Sequence, residues 1–285
     1  MKHGVRLTIW LSAWLLTGVA FAATPLRVAV VADTAPVRAA LVSSITGLAG
    51  VEYVEDPAVA DLLLAPGDPA LDAACAASLP VIGVQVGTSA VMRGRNAGCR
   101  IAALWRLPDP VVQLRVLHAV VPRARRVGFL ASRETRSLVP ALRKEADALD
   151  LELVVRDVSS IAELPARLAE TLAGSDVLMA LPDPYLYTAD QARLILMATY
   201  RQGKPLVGPD DHWVRAGALA SAYISAEDVL AEVAGVLAGF QRDRVLPGDR
   251  FPPVSVELNA HVARTFSISL PAPSVLEEAV TETRP

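Results

Sequence analysis

Eight polar or aromatic residues follow predicted strands, at positions where side chains can hydrogen-bond a small molecule. They are Asp33, Asp68, Gln85, Ser132, Asp183, Tyr185, Asp210 and Trp213. Carboxylates accept hydrogen bonds, amide and hydroxyl groups donate and accept them, and aromatic rings pack against apolar faces. Arg133 stands among them and can pair with a ligand carboxylate or stay solvated. These residue types predict noncovalent binding of a small polar or amino-acid-like ligand.

Several of these residues also fit a purely structural role. Asp68 and Asp183 each precede a proline, and Asp-Pro is typical of a helix cap followed by the first helical residue. Asp210 can likewise cap the helix that is expected to follow it. Tyr185 and Trp213 can pack in the core instead of stacking on a ligand. For each of these five residues the sequence leaves both the binding role and the structural role open.

No pattern in the sequence indicates catalysis or a metal site. Beyond the N-terminal segment the histidines are His118, His212 and His261, which are far apart and form no H-x-x-H or H-E-x-x-H pattern. The hydrolase, P-loop and dinucleotide-binding motifs are also absent. We therefore expect a protein that is not an enzyme and that uses no metal and no cofactor.

The first 22 residues have the features of a secretory signal peptide. Lys2 and Arg6 precede the apolar run Leu7–Val19, and Ala20-Phe21-Ala22 matches an A-x-A cleavage site. The run is about 13 residues long, short of the roughly 20 that span a bilayer. We expect cleavage after Ala22 and a periplasmic mature protein, with an uncleaved membrane anchor as the alternative.

Charge argues against nucleic acid as a partner. The chain has 27 Lys and Arg against 30 Asp and Glu, a net charge of −3, and the signal peptide carries two of the cations. Such a mildly acidic chain lacks the positive surface that phosphate backbones require.

The cysteines Cys75 and Cys99 both belong to the mature chain. Cys75 is predicted late in a helix and Cys99 at the start of a strand in the same half, so a bridge is geometrically feasible. An oxidising compartment permits a disulfide between them, and two small buried thiols are the alternative.

Three segments of the first half recur in the second half in the same order. The matched pairs are 26–33 with 125–132, 61–71 with 176–186, and 80–83 with 205–208. Each contains a continuous apolar strand, which is typical of parallel sheets buried on both faces. Helices with apolar residues at three- and four-residue spacing fill the gaps. The pattern predicts an α/β protein of two doubly wound, Rossmann-like parallel sheets, with a ligand cleft between them.

The second half resembles a known family. The segments that carry the resemblance are Arg126-Val-Gly-Phe-Leu130, Ala180-Leu-Pro-Asp183 and, most specifically, residues 205–220. They are similar to the periplasmic substrate-binding proteins of the tryptophan/tyrosine-type ABC transporter family. Residues 256–263, followed by Leu270-Pro271, fit the closing strand and helix of that family.

The resemblance implies a type I periplasmic-binding-protein fold with three hinge crossings. It implies an N-terminal lobe of residues 24–122 plus 226–250 and a C-terminal lobe of residues 123–225 plus 251–271. It also implies that Asp183 and Asp210 lie at the interdomain cleft. Residues 276–285 follow two prolines, Pro271 and Pro273, and residues 272–285 are expected to form a flexible tail.

The family implies a function in uptake: the lobes close on a small ligand, and a membrane permease recognises the closed form. We expect a monomer. The alternative is an orphan periplasmic module that reports ligand binding to a membrane sensor or another envelope partner, since one fold serves both functions. The chain departs from the family pattern at Ala131-Ser132 and at Pro184, so the sequence does not identify the ligand.

Overall fold

The computed structural model describes residues 24–281, which contain two separate β-sheets. The first sheet has the order β2-β1-β3-β4-β5 and is entirely parallel, with strands β1 (Leu26–Val30), β2 (Val51–Tyr53), β3 (Leu62–Pro66), β4 (Val81–Val86) and β5 (Ile101–Trp105). The second has the order β7-β6-β8-β9-β10-β11, with strands β6 (Arg126–Ala131), β7 (Glu152–Asp157), β8 (Val177–Met179), β9 (Leu206–Val207), β10 (Ala220–Tyr223) and β11 (Ser255–Leu258). Only β11 runs antiparallel to its neighbour.

The internal repeat of the sequence is a repeat of structure. Strands β1 and β6 occupy equivalent positions in the two sheets. This confirms the prediction that the segment beginning at Leu26 corresponds to the segment beginning at Arg125. The repeat includes an ion pair. Asp61 accepts hydrogen bonds from the backbone N and Nη2 of Arg27 at 2.9 and 3.0 Å. In the second half, Asp176 accepts from the same two atoms of Arg126 at 2.9 and 3.2 Å.

Helices cover both faces of each sheet. They are α1 (Ala35–Ile45), α2 (Gly67–Ala74), α3 (Thr88–Asn96), α4 (Pro110–Val120), α5 (Val139–Ala148), α6 (Leu164–Gly174), α7 (Ala189–Arg201), α8 (Asp211–Ala216), α9 (Ala226–Asp243), α10 (Ala260–Thr265) and α11 (Pro273–Thr281). Alternate residues of a strand enter different cores: Leu62 and Leu64 pack on one face of the first sheet, Leu63 and Ala65 on the other. This double burial explains the continuous apolar strands. The prediction of two doubly wound sheets is confirmed.

In the part of the chain that the structure describes, three segments connect the two sheets. The first, 106–109, joins β5 to α4; the second, 224–225, joins β10 to α9; the third, 244–254, joins α9 to β11. Helix α9 packs through Val233 and Leu237 on the core of the first sheet, whereas β11 belongs to the second sheet. The third segment also pairs with β5, because the backbone N of Arg250 donates to the carbonyl of Ala103 at 2.8 Å. The lobe bounds implied by the resemblance stay predictions.

The C-terminal segment corrects one expectation. Residues 273–281, predicted as part of a flexible tail, form α11, whose Leu276, Ala279 and Val280 pack against the core of the second sheet. Pro273 is the first helical residue, a position where proline's missing N–H and fixed φ favour a helix start. The predicted signal peptide, residues 1–22, lies outside the described residues.

Cys75 and Cys99 form a disulfide in the first lobe. Cys75 follows the last residue of α2, and Cys99 precedes β5 by two residues. Gly94 of α3 lies against the bridge, where a Cβ atom would stand 3.0 Å from Sγ of Cys75. Of the two alternatives that the sequence leaves open, the structure contains the bonded one.

Candidate functional site

A cavity of about 580 Å³ lies between the two sheets, at the carboxyl ends of their strands. Ligands of open α/β sheets bind at such edges. Its walls come from residues that follow β4 and β5, from the end of β8, from β10 and from the third connecting segment. They include Val86–Thr88, Trp105–Pro110, Gln113, Leu138, Leu181, Pro182, Ala222, Asp249 and Phe251. We call this space the main cavity.

Most of the main cavity is apolar, with a few charged groups at its edge. The rings of Trp105 and Phe251 lie 6.2 Å apart at an angle of 38°. The charged groups are one cation, Arg106, and two carboxylates, Asp109 and Asp249. Asp109 caps α4 by accepting from the backbone N of Val111 at 3.1 Å. The lining suits a ligand with an apolar body and a small number of polar groups.

Arg106 is held by two of the residues predicted from the sequence. Its Nη2 donates to Oδ1 of Asp68 at 2.6 Å, and its Nε donates to the carbonyl of Gln85 at 3.1 Å. Gln85 has a left-handed φ of 53°, at the point where the pairing of β4 with β5 shifts register. Asp68 also accepts from the backbone N of Gly87 at 2.8 Å. Asp68 and Gln85 therefore hold Arg106, which lines the main cavity, but they do not line the cavity themselves.

Asp183 lies in the protein interior, with only 3% of its surface exposed. Its Oδ2 accepts from the hydroxyls of Ser132 and Thr135 at 2.6 and 3.1 Å. Its Oδ1 accepts from the backbone N of Tyr185 and Leu186 at 2.9 and 3.1 Å. Four internal hydrogen bonds satisfy this carboxylate, so the geometry favours the turn-capping role over contact with a ligand. Ser132 is fully buried in the same network.

Asp210 and Trp213 also take the structural role. Asp210 is the N-cap of α8 and accepts from the backbone N of Trp213 at 3.1 Å. The Trp213 ring is buried and meets Tyr187 edge-on, with centroids 5.6 Å apart. Burial, together with the nearby charge of Asp183, raises the pKa of the Tyr187 phenol. This aromatic pair belongs to the core of the second lobe.

The two remaining predicted residues lie apart from the main cavity. Asp33 is exposed beyond the end of β1. Tyr185 is partly exposed and lines a second, smaller cavity with Arg133 and Arg136. None of the eight predicted residues lines the main cavity, and their contact with a ligand stays a prediction.

The comparisons with known proteins support the fold. No protein family and no curated protein matches the chain. A substrate-binding protein with adhesive properties from Clostridium difficile, in its ligand-free, open form, superposes with a TM-score of 0.68 and 14% identity, over 88% of this chain and 97% of the other. An ABC domain in complex with L-Trp from Streptococcus pneumonia gives 0.56 and 16%, over 88% and 98%. A conserved domain protein from Vibrio cholerae gives 0.54 and 18%, over 90% and 98%.

The chain has the type I periplasmic-binding-protein fold. Identities this low show the fold alone, and membership of the tryptophan/tyrosine-type family stays a prediction. In this type I fold the main cavity lies next to all three connections between the lobes. Arg106 to Asp109 form the first, Ala222 precedes the second, and Asp249 and Phe251 belong to the third.

The sequence reasoning missed the residues that do line the main cavity. Trp105 and Arg106 follow the predicted strand at 101–104, and the carboxyl end of that strand was the one signal that could have found them. Phe251 stands in a turn-rich connection before Pro252-Pro253, and 49% of its surface is exposed. In the sequence, the signal for that position is an aromatic residue directly before two prolines in a turn-rich connection.

Two properties of the described residues bear on other kinds of site. Within 24–281, no three or more His, Cys, Asp or Glu side chains come together as a metal site would require. Over the same range, every helix is too short or too polar to cross a membrane.

Proposed function

We propose that the protein is a periplasmic solute-binding protein of an ABC uptake system, and that it binds without catalysis. The observation that carries this proposal is the main cavity, whose walls belong to both lobes and to all three connections. Rotation about these connections changes the distance between its walls. A ligand that contacts both lobes therefore favours the closed state, by the difference in its affinity for the two states.

The proposed ligand is a small molecule with an apolar or aromatic body. Trp105, Phe251 and Leu181 offer packing surface for such a body, and the cavity volume of about 580 Å³ suits a metabolite-sized ligand. The Streptococcus pneumonia domain of the same fold is described in complex with L-Trp. Aromatic amino acids are therefore the first ligands to test, followed by other small metabolites.

Tryptophan fluorescence tests the proposal directly. After removal of the signal peptide the chain retains only Trp105, in the main cavity, and Trp213, in the core. A thermal-shift screen of amino acids and other small metabolites should find a compound that raises the unfolding temperature, because binding to the folded state alone stabilises it. That compound should also change the emission of Trp105.

Trp105→Ala should weaken binding of this compound by about 2 kcal/mol, or roughly thirtyfold in Kd. The matched control is Tyr200→Ala, which removes a partly exposed aromatic ring of α7 outside the main cavity and should leave Kd unchanged. Equal affinity of wild type and Trp105→Ala would contradict the site. Loss of uptake of the compound in cells that lack the gene separates transport from sensing.

A further inference from the structure

A second cavity of about 180 Å³ lies beyond the carboxyl ends of β6 and β7, at the same edge of the second sheet as the main cavity. Its lining is Arg133, Arg136, Val158, Ser159 and Tyr185. We call it the arginine cavity. Its two cations distinguish it from the main cavity, whose lining is mostly apolar.

Neighbouring residues of the same two chain segments line the two cavities. Arg136 lines the arginine cavity, and Leu138, two residues further along the same short turn, lines the main cavity. On the loop after β8, Tyr185 lines the arginine cavity and Pro182 lines the main cavity. The lining residues of the two cavities are thus only two or three positions apart on each of these segments.

Within residues 24–281, each arginine is anchored through a single nitrogen. Nε of Arg133 donates to Oε1 of Glu134 at 2.9 Å, and Nε of Arg136 donates to Oδ1 of Asp157 at 2.9 Å. Among the described residues, the terminal Nη groups of both arginines have no hydrogen-bond partner. The Arg133 guanidinium also lies 5.9 Å from the centre of the Tyr185 ring. Glu134 and Asp157 balance the two cations, so recognition of an anion here relies on directed hydrogen bonds from the Nη groups.

The buried Asp183 fixes two of the three segments that line this cavity. It accepts from Ser132 and Thr135, which flank Arg133 on its loop, and from the backbone N of Tyr185. The backbone N of Arg136 in turn donates to the carbonyl of Ser132 at 2.9 Å. One carboxylate thus joins the loop that carries both arginines to the loop that carries Tyr185. Preorganisation of this kind lowers the entropy cost of binding.

Charge in the main cavity directs an anionic group toward the arginines. The cation of the main cavity, Arg106, is paired with Asp68, while Asp109 caps α4 and Asp249 is paired with Arg95. A ligand carboxylate placed there would find a single cation that already pairs with Asp68, whereas in the arginine cavity it meets the Nη donors of two guanidinium groups.

We propose that Arg133 and Arg136 bind the carboxylate of a ligand whose apolar body occupies the main cavity. The ligand class is a ring-bearing organic acid, which need not carry an ammonium group. Asp183 acts here as a positioning residue. This inference rests on the proposed function and adds to it the place and chemistry of the polar contact.

The test compares phenylalkanoates with chains of about three to five carbons and their uncharged amides, titrated calorimetrically into the mature protein. The carboxylate should bind at least about tenfold more tightly than its amide, the difference expected of hydrogen bonds to a charged group. The double variant Arg133→Gln/Arg136→Gln should lose about tenfold to a hundredfold in affinity for the carboxylate and nothing for the amide. Arg143→Gln on α5, an exposed arginine outside both cavities, is the control and should behave as wild type.

A second variant separates geometry from charge. Arg133→Lys/Arg136→Lys keeps both charges and removes the planar guanidinium groups. Its affinity for the carboxylate should therefore lie between those of the wild type and the Gln variant. Equal binding of acid and amide by wild type, or an undiminished preference for the acid in the Gln variant, overturns the inference. Failure of every phenylalkanoate to bind overturns it as well. The proposed function is tested separately in each case. It remains supported if another small molecule binds to the wild type and Trp105→Ala abolishes that binding.

Discussion

The carboxylate of Asp68 lies 2.6 Å from Nη2 of Arg106 and so ties α2 to the wall of the main cavity. Oδ1 of Asp68 also accepts from the backbone N of Gly87, on the loop after β4. Asp68 is not the N-cap of α2, which is Pro66. Its carboxylate instead joins two segments that line the cavity, and this arrangement links the stability of the wall to ligand binding.

Asp68→Ala should weaken ligand binding by about tenfold in Kd, roughly 1.4 kcal/mol, because Arg106 and the loop at Gly87 lose a shared acceptor. Calorimetric titration measures the change. The control is Asp72→Ala on the same helix, which removes the partner of Arg93 outside the cavity. Both pairs are partly exposed, so neither substitution should lower the free energy of unfolding by more than about 1 kcal/mol. Equal affinities of the two variants would disprove the supporting role of Asp68.

Asp183→Ala should lower the free energy of unfolding by about 3 kcal/mol. The substitution leaves the buried hydroxyls of Ser132 and Thr135 and the N–H groups of the following turn without their acceptor. Urea denaturation measures this loss. Asp33→Ala removes an exposed carboxylate and should change stability by less than about 0.5 kcal/mol. Unchanged stability with lost ligand binding would show instead that Asp183 contacts the ligand.

Asp210→Ala should cost about 1 kcal/mol of stability, the usual cost of losing an N-cap, and should leave ligand affinity unchanged. Thermal unfolding and calorimetry measure the two effects separately. Asp211→Ala is the neighbouring control, since that carboxylate pairs with Arg215 on the helix surface. A loss of ligand affinity in Asp210→Ala, but not in Asp211→Ala, would show that Asp210 contacts the ligand.

Cys75→Ser/Cys99→Ser should lower the free energy of unfolding by about 3 kcal/mol, since the bridge restricts the unfolded chain between residues separated by 24 positions. Denaturation with and without a reducing agent checks the mechanism. The reductant should destabilise the wild type to a similar extent and have no effect on the double variant. A wild type that is insensitive to full reduction would contradict the prediction.

Asp61 should contribute to the loss of stability in acid. Hydrogen bonds from the side chain and backbone of Arg27 hold the pKa of the Asp61 carboxyl below its ordinary value. A carboxyl with a lower pKa in the folded state stabilises the protein at neutral pH, and this contribution disappears as the pH falls through the folded pKa. Between about pH 5 and 3 the wild type should therefore lose more stability than Asp61→Asn. Parallel curves of unfolding free energy against pH for the two proteins would exclude a contribution from Asp61.

Sequence patterns predicted the sheets because the signals for parallel strands are local. Residues 62–65 are buried on both faces of the first sheet and are apolar throughout, so the strand can be recognised without knowledge of its neighbours. Helix α11 was missed because its stability depends on packing of Leu276 and Val280 against the second core. Two prolines near its start suggested a break, although one of them is the first residue of the helix.

The candidate site depended on tertiary structure to a greater degree. The sequence alone determined which loops stand at the carboxyl ends of strands, since strand positions follow from apolar runs. It did not determine the direction of each side chain. Asp183 turns inward because Ser132 and Thr135, distant in the chain, supply its hydrogen bonds. Trp105 and Phe251 form one wall because the third connection pairs with β5, and a long-range contact of this kind leaves no pattern in a single sequence.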